Sequence, residues 1–153
     1  MKSTLLLSAF LLPLALTGCV TENSSSLEML QNQSWTLSRI DGRELQLTGR
    51  QKAPNLQINQ DLSASGYAGC NNFTGQVQLE GHQLRVEKMA LTRKMCFGDV
   101  METEQVVSQT LSTWSDVSIT KKNELILKND GHQWLRCKVS PATQELQVSK
   151  LKR

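Results

Sequence analysis

Gly66-Tyr67-Ala68-Gly69-Cys70-Asn71-Asn72-Phe73-Thr74-Gly75 decides how the rest of the chain is read. Three glycines in ten residues imply a backbone that bends sharply or takes positive φ more than once. Asn71 and Asn72 suit the same turn conformations. A second stretch, Leu91-Thr92-Arg93-Lys94-Met95-Cys96, carries one more cysteine. If Cys70 and Cys96 meet, they tie a strand and its tight turn to the segment leading into the chain's main helical pattern.

Working outward, most segments alternate with a period of two. Ser34–Ile40 places Trp35 and Leu37 on one face, and Asp41-Gly42 signals a type I′ hairpin with Arg43–Leu47 returning. Asn55–Asn59 directs Leu56 and Ile58 inward, Gln60–Ser63 turns, and Ser65–Cys70 is a strand of small residues. Phe73 is expected to fold back into the core, with Gly75 ending the turn. Gln76–Glu80 and Gln83–Val86 flank Gly81-His82 as a further hairpin. Asp99 as N-cap with Glu102 three residues later forms a capping-box pattern. Val100, Val107, Leu111 and Trp114 then recur at helical spacing, with Glu102, Gln105 and Gln109 toward solvent and Ser115 and Asp116 at the end. Val117–Thr120, Glu124–Lys128 and His132–Val139 follow as strands, and Pro141 closes the domain. The expected class is α+β, mostly antiparallel β. It is a curled sheet or partial barrel of about eight short strands with one helix.

The ends read differently. Lys2 precedes an apolar run, Leu5–Leu16, of about twelve residues, too short for a folded span and proportioned as a signal-peptide core. It ends in Leu16-Thr17-Gly18-Cys19, the pattern of a bacterial lipobox, with Cys19 as the lipid attachment site. The expected organisation is a signal peptide over 1–18, a lipidated cysteine and polar tether over 19–33, a domain over 34–140 and a basic tail over 141–153, with Leu27, Met29 and Leu30 adding a short turn that packs near the domain entrance. Val20 after the lipidated cysteine points to an outer-membrane lipoprotein facing the periplasm.

Without Lys2, Lys150, Lys152 and Arg153, 13 of the 17 basic residues remain between 19 and 140, against 13 of the 14 acidic ones. A neutral body disfavours nucleic acid, whose binding rests on neutralising phosphates. Outside the lipobox, Cys70, Cys96 and Cys137 allow one disulfide. Cys137 alternates with Leu135 and Val139 as a core residue would, so Cys70 pairs with Cys96, where both lie at turn-like segment ends. A soft-metal site of Cys70, Cys96, Met95, Met89 and His82 is the weaker alternative, because no ligand pair has metal spacing. No catalytic constellation is visible: His82 and His132 follow turn glycines and no nucleophile elbow occurs. No cofactor is expected. Arg93 is read as bracing the Cys70 turn by forking onto carbonyls, with ligand contact as the alternative.

Gly69-Cys70-Asn71-Asn72-Phe73-Thr74-Gly75 resembles the first motif of the META domain family, and Thr92-Arg93-Lys94-Met95-Cys96 resembles its second. With the lipobox and the Trp-x-Leu strand, the chain is similar to the HslJ-like heat-shock lipoproteins of that family over roughly Leu27 to Val139. Lys94 departs from the family's methionine, which stands one place later as Met95. The resemblance implies a small sheet-and-helix domain of the bacterial envelope, linked to heat shock, motility and novobiocin tolerance, with no agreed catalytic residue or cofactor. Gly69, Asn71, Phe73, Gly75, Thr92, Arg93 and Met95 are its motif positions, structural or binding. An envelope protein or a sheet-edge partner is the expected company.

Overall fold

A computed structural model describes residues 23–31, 33–129 and 134–140. The lipobox with Cys19, the turn holding His132, and the tail lie outside the described residues. The elements run α1 (Asn23–Leu30), β1 (Ser34–Ile40), β2 (Arg43–Glu44), β3 (Asn55–Ile58), β4 (Ser63–Tyr67), β5 (Asn72–Glu80), β6 (Gln83–Leu91), α2 (Asp99–Ser112), β7 (Ser115–Ile119), β8 (Glu124–Lys128) and β9 (Trp134–Val139).

Short alternating strands joined by tight turns pair with their sequence neighbours, and every pairing here is antiparallel. The curled sheet closes completely. β1 pairs with β9 from Trp35↔Val139 to Ile40↔Leu135, making a barrel of eight strands with β2 as a short flap on β1. Closure removes the unpaired edges that an open sheet would present.

Apolar positions of the alternating strands fill the inside. Trp35, Ile58, Phe73, Leu84, Leu125, Leu127 and Leu135 are all essentially inaccessible. Val107 and Leu111 of α2 join this cluster, so the helix lays its apolar stripe on the barrel core. β6 and β7 share only Gln83↔Asp116 and Leu84↔Ser115, and α2 is the connection between them. The space left among Trp35, Leu56, Val107 and Leu135 is about 20 Å³, too small for a ligand, as expected where barrel side chains pack against the helix.

Several boundaries differ from expectation for local reasons. The short turn expected at Leu27, Met29 and Leu30 extends into a helix over Asn23–Leu30, and Leu30 at its end is buried, its carbonyl accepting the Trp35 indole N–H at 3.2 Å. The return strand expected over Arg43–Leu47 shortens to Arg43–Glu44. The N-cap of α2 is Gly98, with Asp99 the first helical residue, so the capping box is not formed. The chain enters the helix at φ 68, a conformation glycine takes without strain, and the acids of the first turn act through the helix dipole instead. The helix stops at Ser112. Trp114 lies beyond it under the Arg85 guanidinium, 4.5 Å from the ring centroid. Ser115 opens β7, its buried hydroxyl donating to the Thr110 carbonyl at 2.8 Å.

Candidate functional site

The turn between β4 and β5 is held from two sides. Cys70 and Cys96 are joined by a disulfide with Cα atoms 6.0 Å apart, closing a separation of 26 residues. On the other side, Glu104 projects from α2 into the turn and is buried. Its carboxylate accepts the backbone N–H of Cys70 at 3.0 Å, the backbone N–H of Asn71, and the Asn71 side-chain amide at 2.9 Å. Among the described residues no cation pairs with it. Three amide donors therefore take the place of a counter-ion around a desolvated charge.

Asn71 is the hub of the arrangement. Its side-chain oxygen accepts from the Thr92 hydroxyl at 2.8 Å and the Lys94 backbone N–H at 2.7 Å. Its side-chain nitrogen donates to the Lys94 carbonyl at 3.3 Å as well as to Glu104. All four bonding directions of the amide are used. Thr92 also accepts the Asn72 N–H through its hydroxyl and donates its own N–H to the Asn72 carbonyl. Both motifs and the helix thus meet on one asparagine.

The motif glycines serve this packing. Gly69 sits at φ 141, and a Cβ there would lie 2.9 Å from the Val100 carbonyl oxygen and 3.0 Å from the Glu104 nitrogen. Only a residue without a side chain lets the turn lie this close to the helix. Gly75 is not the end of the turn, as the sequence implied, but lies within β5, where the register with β6 shifts between Thr74 and Gln76. A Cβ there would stand 2.4 Å from Val86 Cγ1. Asn71 and Asn72 do not take positive φ. Phe73 is core, only 1% exposed.

Other expected site residues are placed differently. Arg93 is exposed and makes no hydrogen bond or ion pair with a described residue; the backbone of Lys94, not the Arg93 guanidinium, braces the turn. Met95 is 84% exposed. The soft-metal set is not assembled. The sulfurs of Cys70 and Cys96 are bonded to each other, Met89 packs on the core, and His82 sits at the far end of β6. Eight residue steps along the strand, about 26 Å, separate His82 from Ala90 and the cysteine loop beyond. Among the described residues no group of three His, Cys, Asp or Glu could hold a metal. Cys137 is a buried free thiol, its pKa pushed up to about 12 by desolvation.

Sequence reasoning missed Glu104. The signal was present, since Glu104, Val107 and Leu111 share one helical stripe and an acid on that stripe must find donors. It also missed the surface beside the disulfide. There the loop before β3, the end of β4 and the loop before α2 enclose an open groove of about 960 Å³, with Phe97 on its rim 81% exposed. No motif marks Arg50, Lys52 or Phe97 as members of one site.

The comparisons agree with this architecture. Two solved NMR structures share the fold. One is 26% identical, covering 73% of this chain and 92% of its own, with a TM-score of 0.62. The other, a protein from Burkholderia xenovorans, is 20% identical and covers 92% of this chain and 99% of its own, also at a TM-score of 0.62. No curated protein matches the sequence. The META domain family model matches residues 28–141. With both motifs spent on the Asn71 hub and the bridged turn of a closed barrel, this chain belongs to the META domain family.

Proposed function

We propose that the protein is a non-enzymatic, outer-membrane-anchored lipoprotein of the bacterial periplasm that supports the envelope under stress. The observation that carries this reading is the lipobox, Leu16-Thr17-Gly18-Cys19, behind a short apolar run. Several acyl chains on Cys19 anchor stably, at about 0.8 kcal/mol per buried CH₂, where one chain holds only marginally. The Cys70–Cys96 bridge supports it, because disulfides persist in oxidising compartments. The use of Cys70, Asn71, Thr92 and Cys96 for internal bonds supports a structural rather than a catalytic task for the motifs. Membership of the META family makes heat-shock and novobiocin-type tolerance the phenotypes to examine, with an envelope protein as the partner class.

Metabolic labelling with a palmitate analogue tests the anchor. Label is expected on the wild-type protein in the outer-membrane fraction and absent from Cys19→Ser. An unlabelled wild-type protein would remove the anchor from this account. Deletion is expected to sensitise cells to heat, detergent and hydrophobic antibiotics. A deletion strain equal to its parent under all three would remove the stress role.

A further inference from the structure

We infer that the groove beside the disulfide binds single molecules of an anionic amphiphile, with a carboxylate or phosphate head and an apolar tail. The inference does not depend on the anchor. The groove of about 960 Å³ is at the upper end of small-molecule sites and is far larger than an inorganic anion requires. Its walls carry Arg50, Lys52 and Lys94 and not one Asp or Glu. That departs from a body whose charges balance. The neighbouring hollow near β2 behaves differently, with Asp41, Glu44 and Asp99 set against Arg43.

Arg50, Lys52 and Lys94 have no ion-pair partner among the described residues. Three cations around one concavity repel each other unless an anion enters, and the cleft concentrates their field. Their heads are donors only, so the complementary ligand group is a hydrogen-bond acceptor that carries negative charge. Tyr67, Phe97 and Val100 supply the apolar side. Phe97 follows directly on Cys96, whose disulfide ties the loop to the β4–β5 turn, so an aromatic ring is kept in solvent on a braced segment. A braced, exposed ring beside unpaired cations fits a molecule that is charged at one end and apolar at the other.

Isothermal titration of the purified protein with monomeric dodecanoate and dodecyl phosphate, below their micelle concentrations, tests the inference. Dodecyltrimethylammonium and a neutral dodecyl glycoside serve as controls for the tail, and inorganic phosphate for the head. Saturable one-to-one binding is expected for the two anionic amphiphiles and for none of the three controls. Lys94→Glu and Arg50→Glu are each expected to weaken binding about tenfold or more, the worth of a charge-assisted hydrogen bond. Phe97→Ala is expected to weaken it by a similar factor, from the apolar area lost. These side chains are exposed, and an unchanged melting curve verifies that each variant is folded. Absence of binding, equal binding of the neutral or cationic homologue, or insensitivity to all three substitutions would overturn the assignment. So would binding to phosphatidylglycerol vesicles without binding to the monomers, which would make the patch a membrane-contact surface.

Discussion

Glu104 and Asn71, 33 residues apart, are joined through both the backbone and the side chain of the asparagine. The carboxylate reaches across from α2 to take donors that the turn cannot satisfy within itself. Replacing Glu104 with Ala strands three amide donors, two of them backbone, in a buried place. At roughly 1–3 kcal/mol for each unsatisfied group, a loss of about 3 kcal/mol or more is expected in urea denaturation. Glu104→Gln turns one acceptor into a donor facing donors and is expected to cost nearly as much. A Glu104→Ala protein as stable as wild type would show that water replaces the carboxylate at no cost.

Glycine positions separate by what surrounds them. A Cβ on Gly66 would lie 2.0 Å from the Asn55 carbonyl oxygen, inside the β3–β4 ladder, whereas a Cβ on Gly42 meets nothing within 4 Å. Gly66→Ala is therefore expected to prevent soluble expression or to cost more than about 3 kcal/mol, by overpacking against backbone that cannot yield. Gly42→Ala pays only for its φ of 79, about 1–2 kcal/mol. Thermal melts of the two variants side by side check the order, and a reversed order would contradict the packing argument.

Removing the bridge loosens the unfolded chain more than the folded one. Cys70→Ser with Cys96→Ser is expected to lower stability by about 3.5 kcal/mol in the chain-entropy description of a loop this long. Reduction of the wild-type protein should match the double variant. A difference well under 1 kcal/mol would mean that the Asn71 and Glu104 bonds alone hold the turn.

Cys137 ties stability to high pH. Its folded pKa is raised from 9.0 to about 12 by burial, so the folded state keeps the proton after the unfolded chain has lost it. The stabilisation from the neutral thiol is full below pH 9 and falls away as pH rises from 9 toward 12. The wild-type melting temperature is expected to drop more between pH 8 and pH 10.5 than that of Cys137→Ala. Parallel drops would show that the thiol is not desolvated.

What the sequence made legible is what local pattern controls. Trp35 with Leu37, Leu125 with Leu127, and Leu135 with Cys137 and Val139 alternate because one face of each strand meets the core, and all are buried. The Asp41-Gly42 turn has positive φ at both residues, as a type I′ hairpin requires. Barrel closure was not legible, since pairing Trp35 with Val139 depends on curvature accumulated over every strand between them. Glu104 escaped because an acid among Met101, Glu102 and Gln105 looks solvated until the turn it serves is in place. The groove escaped for a related reason. Its cations come from loops distant in sequence, and nothing local assembles Arg50 with Lys94.

Because β9 seals the seam left by β1, the first strand of the barrel waits for the last one to be made. A chain interrupted before Trp134 exposes two hydrogen-bonding edges at once, on β1 and on β8, each with an apolar inner face. Such a fragment is a template for strand exchange between copies, and its hazard lasts until β9 has been made and paired. Joining β9 to β1 by a linker and opening the ring at the exposed Gly81-His82 hairpin would move that seam to β5 and β6, which share the longest ladder of the barrel. The order in which the strands are born, rather than their sum, then sets how long the barrel stays vulnerable.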